Sequence, residues 1–451
     1  MSIHPDHEMK RTISAVTLLL LCSLASQAQN IASVANGLYY MPTTWDCLCL
    51  PTPGMHITIN HQVTLNNDLG PLSGSITINA SGALIQDAVP RSMLMTGGAF
   101  SNSGNFSIDL MQVQGGSFTN SGTAQIRSYA NYAAIENTGT ISGTDSLLNM
   151  GSYTNSGALE HATIYTGLTF NNLGTVTGVD SLYNQGTLTN GPTAHITADS
   201  LYNAGNLTND GILEHVAFTN AGTYTNNGEV QFNDMTNRAG VFHNYGTLTG
   251  TGSMTNADDF FNYPGGAVTL AVSFLNGSLT VPPLPAAVFT NDGTVTIGDS
   301  WYNFDLVTGD SSGYWSVQDS SVNAGNMTGD FQFCDQTPLS LNFPVVDYNL
   351  GTVAPSVRFC QLITSVGVGE KDVLSVFPNP TTDLVSVQLP TGKRSSAVIV
   401  TDMAGKRMAA PVAYTSGPEK LSVDLTGLAQ GMYLLEVRAE GQRYRTVVVK
   451  R

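Results

Sequence analysis

One short phrase recurs through the middle of this 451-residue chain: an aromatic or aliphatic residue, a spacer, Asn, any residue, Gly. It reads Phe118-Thr-Asn-Ser-Gly122, Tyr153-Thr-Asn-Ser-Gly157, Leu207-Thr-Asn-Asp-Gly211, Phe218-Thr-Asn-Ala-Gly222 and Phe289-Thr-Asn-Asp-Gly293. The asparagines at 102, 120, 137, 155 and 172 recur at a near-constant step, and those at 203, 220, 244 and 262 keep near that rhythm with one longer step. A second asparagine often follows six positions after the first, as at 149/155, 184/190, 203/209 and 220/226. A second phrase has the same period. Asp145-Ser-Leu-Leu-Asn149 and Asp180-Ser-Leu-Tyr-Asn184 lie about two repeats apart, and Asp199-Ser-Leu-Tyr-Asn203 follows about one repeat later, with Asp299-Ser-Trp-Tyr-Asn303 as a fourth copy.

A fixed period of this size implies a solenoid, because each unit is too small to bury its apolar face alone. The units are too short for helical repeats. They are rich in β-branched and turn residues and lack a helical periodicity, so the predicted fold is a parallel β-helix. At the corners of each coil, Gly is expected to supply φ > 0 and Asn to tolerate the left-handed region. Equivalent asparagines should stack rung upon rung and hydrogen-bond along the axis, as amide ladders do. The Phe, Tyr or Leu two positions before each Asn should point inward as a core column. The repeat predicts about eleven rungs at about 4.8 Å each, a rod on the order of 50 Å. The six-position sub-period also suits a left-handed triangular coil, but the irregular steps favour the right-handed form. Bare ends of such a rod recruit other strands. Residues 31–60, with Trp45 and Pro51-Thr-Pro53, are expected to cap the front, and 301–366 the back.

Charge divides the chain. Residues 371–451 carry 11 Lys+Arg and 7 Asp+Glu, which leaves 6 and 26 for the rest of the chain (17 − 11 and 33 − 7). The acidic body argues against nucleic-acid binding, which needs basic residues to neutralise phosphates, and against docking on anionic lipid. The basic tail has its own pattern. Phe377-Pro-Asn-Pro380 opens it, and the alternating run Thr381 to Leu389 follows. Val398-Ile-Val-Thr-Asp-Met-Ala-Gly405 precedes the basic pair Lys406-Arg407. Leu425-Thr-Gly-Leu-Ala-Gln-Gly431-Met-Tyr433 leads into another strand, and Val447-Val-Val-Lys450 closes the chain. Period-2 runs between Gly, Pro, Asn and Asp turns predict a small antiparallel β-sandwich.

This order of motifs closely resembles the type A C-terminal sorting domain of the Bacteroidetes type IX secretion system. The resemblance covers 373–451. It implies recognition by the outer-membrane machinery through a motif carried here by Pro378, Asn379, Pro380, Gly405, Gly431, Tyr433 and Lys450. It also implies cleavage upstream by a sortase-like protease, with 367–372 as the linker. The protein is then expected outside the cell, secreted or anchored to the outer membrane.

The start of the chain agrees with export. Lys10-Arg11, the apolar stretch Ile13 to Leu24 and Ser26-Gln-Ala28 read as a signal peptide over 1–28. No other long apolar run exists, so no transmembrane segment is expected in the mature chain. Removing the signal leaves Cys47, Cys49, Cys334 and Cys360, an even count that suggests two disulfides in an exported protein. Cys334 and Cys360 are a plausible pair. Cys47 and Cys49 lie near the limit of disulfide geometry, and a metal is the rival reading for them, weakened because His56 and His61 show no recognised ligand spacing. Trp45-Asp-Cys-Leu-Cys-Leu-Pro51 also resembles the N-terminal region of other exported Bacteroidetes β-helix proteins. The boundaries that follow are 1–28 signal peptide, 29–97 N-terminal cap and first coils, 98–300 repeat β-helix, 301–366 C-terminal cap, then linker and sorting domain.

Many parallel β-helices degrade polysaccharides, so catalysis needs weighing. Uronate lyases need a basic residue near the cleaved bond, and the body has no lysine between Arg11 and Lys371 and only the scattered Arg91, Arg127, Arg238 and Arg358. Hydrolases need two carboxylates at a set separation, and Asp258-Asp259 is the one adjacent acid pair in the array. Glu160-His161 and Glu214-His215 lie about three repeats apart and read as repeat echoes rather than a catalytic dyad. No phosphate loop, nucleophile elbow or calcium nonapeptide is present, and no cofactor is implied. Asp-Ser followed by an apolar residue resembles the O-glycosylation acceptor of Bacteroidetes surface proteins, which marks Ser146, Ser181 and Ser200. A repeated turn with Leu in the core accounts for the same triplet. The expected function is an exported, non-enzymatic structural or adhesin-like protein facing glycans or matrix. A β-helical carbohydrate-active enzyme and a passive stalk are the alternatives.

Overall fold

The computed structural model describes residues 29–277, 286–360, 374–389, 395–402, 406–409, 412–414, 420–439 and 442–451. The expected signal peptide, the linker and Gly405 lie outside the described residues. The chain divides into two compact units, 1–360 and 361–451. Among the described residues there is no α-helix, and no helix is long and apolar enough to cross a membrane.

The first unit is a parallel β-solenoid with three faces per rung. The rung from Thr223 to Asn237 shows the logic. Thr223–Asn226 forms one face, with Tyr224 and Asn226 inward. Glu229–Asn237 supplies the other two, with Val230 and Phe232 inward on the second and Met235 and Asn237 inward on the third. Alternation sends every second side chain inward. The adjacent exposed residues Asn233 and Asp234 break that alternation and bend the strand between its two faces. Neighbouring rungs pair in parallel, such as Tyr224 with Phe242 and Phe242 with Phe260.

The stack runs further in both directions than the phrase count suggests. Pairing begins at Asn30–Ala32 against His56–Ile59 and ends at Arg358–Phe359 against Gln332–Asp335. The third face alone stacks strands from Leu69–Leu72 to Tyr348–Asn349. The rod therefore has roughly fifteen rungs, or about 70 Å at about 4.8 Å each, rather than eleven. Residues 301–360, expected as a cap, contribute further rungs, and 336–347 loops out from them. At the front, Pro42–Thr44 forms a 3-10 turn and Trp45 is fully buried, its Nε1 donating to the Tyr39 carbonyl at 2.8 Å.

Two amide ladders run up the interior. The first joins Asn102, Asn120, Asn137, Asn155, Asn172, Asn190, Asn209, Asn226, Asn244, Asn262 and Asn291, each Nδ2 donating to the next Oδ1 at 2.7–2.9 Å. The second joins Asn184, Asn203, Asn220, Asn237, Asn256, Asn276, Asn303, Asn323 and Asn349 in the same way. The longer step from Asn220 to Asn244 in the sequence rhythm is a change of ladder, since each of these rungs carries one asparagine of each. Asn120 shows why an amide can be buried here. Its Nδ2 also reaches the Thr140 carbonyl at 3.0 Å and its Oδ1 accepts from Asn102, so both ends are satisfied.

The turn glycines have a different reason from the expected one. Gly122, Gly139, Gly157 and Gly174 are not among the positive-φ residues, and Leu48 is the one non-glycine residue described with positive φ. A Cβ on Gly157 would instead stand 2.0 Å from the Gly139 carbonyl oxygen one rung away, and one on Gly174 would stand 2.1 Å from that of Gly157. At these positions clearance between stacked turns, not a left-handed backbone, demands glycine, whereas others such as Gly98 and Gly116 do take positive φ as expected. Asparagine likewise ends its strand facing inward rather than occupying a left-handed corner.

The second ladder has one break. Thr166 sits between Asn149 and Asn184. Its hydroxyl and the Asn184 Oδ1 are buried without partners. Thr166→Asn is expected to close the ladder and raise stability by about 1 kcal/mol, while Asn209→Ala strands the amide ends of Asn190 and Asn226 at a cost of roughly 3 kcal/mol. Urea midpoints of the two variants should move in opposite directions.

Candidate functional site

The second unit is built from two four-stranded antiparallel sheets. One has the order Ser375–Phe377, Leu384–Gln388, Lys420–Asp424, Val412–Tyr414; the other runs Arg407–Met408, Ser395–Asp402, Gly431–Ala439, Gln442–Lys450. Val385, Val387, Leu421 and Val423 from the first meet Val400, Leu435, Val437 and Val448 from the second in one core. This is the antiparallel sandwich that the alternating sequence predicts.

The motif residues fall into two groups. Lys450 is 8% exposed, and its ammonium donates to the carbonyls of Leu425, Thr426 and Leu428 at 2.5, 3.0 and 2.6 Å. An ammonium has three donors and no acceptor, so a turn offering three carbonyls matches it. Tyr433 is also buried, and its hydroxyl donates to the Ala429 carbonyl at 2.7 Å. The Leu425-to-Tyr433 phrase and the final lysine are thus one locked turn. Gly431 opens the strand that follows it.

Pro378, Asn379 and Pro380 lie on the surface. Asn379 is nevertheless held: its Nδ2 donates to the Val447 carbonyl and its Oδ1 accepts from the Val449 amide, both at 2.8 Å. Thr381 continues the contact, its amide donating to the Val449 carbonyl and its own carbonyl accepting from the Arg451 amide, both at 2.8 Å. The opening motif therefore clamps the last strand and presents two prolines and the half-exposed Phe377 outward.

On the solenoid, the acid–histidine pairs are separated by strand alternation. Glu160 and Glu214 point outward, while His161 and His215 are buried in the inward column of the second face. Neither ring nitrogen of either histidine has a partner. His161 leans toward Gly143, where a Cβ would stand 2.3 Å from its Cε1. Burial pushes His161 down to about 4, against a weaker opposing pull from nearby Asp145, and His215 down to about 3. Glu214 instead meets His195 on the neighbouring rung, at 3.3 Å. Asp258 accepts the Asp259 amide at 3.0 Å, and burial raises its pKa.

A shallow groove of about 520 Å³ follows the bend between the second and third faces, lined among others by Asp109, Gln125, Arg127, Ser142 and Glu160. Arg127 bridges three rungs, meeting Asp109 at 2.6 Å and Asp145 at 2.7 Å. The guanidinium holds the Asp109 carboxyl below the usual carboxylate range. In the sequence Arg127 looks isolated. Its partners lie one repeat before it and one repeat after it, a relation that the period itself reveals. Ser146, Ser181 and Ser200 all face outward from the third face, Ser200 exposed and the others half-buried. The structure pairs Cys47 with Cys49 and Cys334 with Cys360. No cluster of His, Cys, Asp or Glu among the described residues could hold a metal.

A β-solenoid that ends in a separate sandwich with a locked terminal turn defines the class: a long repeat body followed by an independent terminal module. Residues 375–451 match the family described as secretion system C-terminal sorting domain, and this module is such a domain. No curated protein and no solved structure matches the chain. The sorting domain implies secretion, or display at the outer-membrane surface, through the type IX machinery.

Two expectations follow. Lys450→Met removes the ammonium from all three carbonyls, of which Leu425 keeps only the Leu428 amide, and should lower the stability of the C-terminal unit by roughly 3 kcal/mol. Hydrogen exchange should then show lost protection there and unchanged protection in the solenoid. For the histidines the sign is fixed by the depressed folded pKa. Below 6.5 the unfolded chain takes up a proton that the fold refuses, so stability falls as pH drops from 6.5 toward about 4. The slope should be about 1.4 kcal/mol per pH unit for each histidine. Thermal melts of His161→Met/His215→Met should be flatter across that window than those of the native chain.

Proposed function

We propose that the chain is a secreted, non-enzymatic surface protein whose β-solenoid is a rigid stalk with an adhesin-like outer face directed at glycans or matrix. The observation that carries this reading is the pair of amide ladders. They tie successive rungs together from inside and leave the outer columns free to vary. A scaffold of this kind suits display over distance. Strand alternation divides the acid–histidine pairs between surface and core, which supports reading them as repeat echoes rather than catalytic dyads. The sorting domain supplies delivery, with the sortase-like protease acting in the stretch before it. Glycosylation of Ser146, Ser181 and Ser200 is compatible with their outward placement.

Deleting 371–451 tests delivery. The shortened protein should accumulate in the periplasm, and its share in the medium or on intact cells, read by protease accessibility and immunoblot, should fall to background. Unchanged export would refute it.

A further inference from the structure

The groove around Arg127 has a counterpart further along the same bend. The same two outward columns, the third position of the second face and the bend residue after it, form a second groove of about 330 Å³ several rungs on. One side is the column of Thr197, Glu214 and Gln231, the other the column of Asp199, Val216 and Asn233, and the inward Ala198, His215 and Phe232 lie beneath. The walls are held in place by neighbours. Gln231 Nε2 donates to Glu229 at 2.7 Å, and Asn233 Oδ1 accepts from the Thr251 hydroxyl at 3.1 Å. The second side is apolar at its middle rung, where Val216 is 55% exposed. Beneath it His215 is 6% exposed and neither ring nitrogen has a partner.

An exposed valine flanked by planar amide and carboxylate side chains suits a sugar ring. The valine takes the C–H face, and the amides and carboxylates take pairs of hydroxyls. The axial repeat adds a constraint. Equivalent wall residues recur at about 4.8 Å, close to the advance per residue of an extended 1,4-linked glycan. Charge sets the ligand type. Neither Lys nor Arg lines the second groove, and in the first, Asp109 and Glu160 outnumber Arg127. Uronate or sulfated chains would meet like charge in both grooves.

We propose that this channel binds an extended neutral or amino-substituted polysaccharide, with the groove around Val216 as its principal subsite. The inference rests on the surface-protein reading above and names its ligand. The test uses the full-length exported protein in affinity gel electrophoresis against a soluble β-1,4-glucan, a chitosan and polygalacturonate. The glucan or the chitosan should retard migration and polygalacturonate should not. Gln231→Ala/Asn233→Ala should weaken retardation by about tenfold. Thr208→Ala, on the first face, should leave it unchanged. Asp199→Asn, a same-shape change at an exposed position, guards against loss of fold and should weaken only chitosan. Equal retardation by polygalacturonate, no retardation by any glycan, or indifference to the channel variants overturns the proposal. The two readings fail separately. Release of reducing ends from a bound glycan would sink the non-enzymatic reading and leave the channel standing. A surface-located protein that binds none of the three would sink the channel and leave the surface reading.

Discussion

The amide–amide hydrogen bond between stacked asparagines is the interaction on which the solenoid depends. A buried amide without partners costs a few kcal/mol. Stacking turns that liability into specificity, because an identical group one rung away satisfies both its ends. A slip by one position would move every asparagine from the interior to the surface and break both ladders at once. Register is therefore fixed from within, and apolar packing adds stability to an alignment already chosen. The aromatic column follows it: Tyr224, Phe242, Phe260 and Phe289 stack with ring centroids 4.5–4.7 Å apart.

Such a scaffold is selective about where change is allowed. Insertions occur at corners, as in the loop 336–347, because extra residues within a face would disturb the ladder. Turn glycines such as Gly157 and Gly174 cannot change without pushing two rungs apart. The inward column of the second face is the permissive one. It carries no ladder, and it accepts Gly143, His161, Ala198, His215, Phe232 and Gly250 by setting small residues beside large ones. The buried histidines sit there, where a polar ring can be accommodated but not satisfied.

Repetition and spacing alone make the solenoid, the inward aromatics and the stacked asparagines readable. The two-ladder arrangement is present in the sequence as the closely spaced Asn pairs, but the step from Asn220 to Asn244 mixes the ladders, because spacing does not say which face a residue ends. The reason for glycine is hidden because φ preference is a local property, and the constraint is contact between turns a whole repeat apart in the chain. Rungs beyond 300 are harder to read because the phrase thins to Asn323-Ala-Gly325 and Asn349-Leu-Gly351, while Trp301, Trp315 and Phe333 fill the core between. In the sorting domain the motif order is evident. That Lys450 closes the turn at Leu425–Leu428 is not, since nothing in a sequence pairs a terminal lysine with carbonyls on a distant turn.

The ladders also shape what the outside can do. With register fixed internally, each outward column becomes a row of positions at constant spacing, and a substitution there changes chemistry without moving the backbone. Arg127 between Asp109 and Asp145 is one result, three rungs joined by one side chain. The paired columns along the bend are another. A ligand that is itself a repeating polymer is the natural complement to such a surface, because a small gain at one rung is repeated at the next, and successive contacts are held at high effective concentration. The interior therefore constrains the partner: a strictly periodic scaffold favours periodic ligands, and its acidity selects among them.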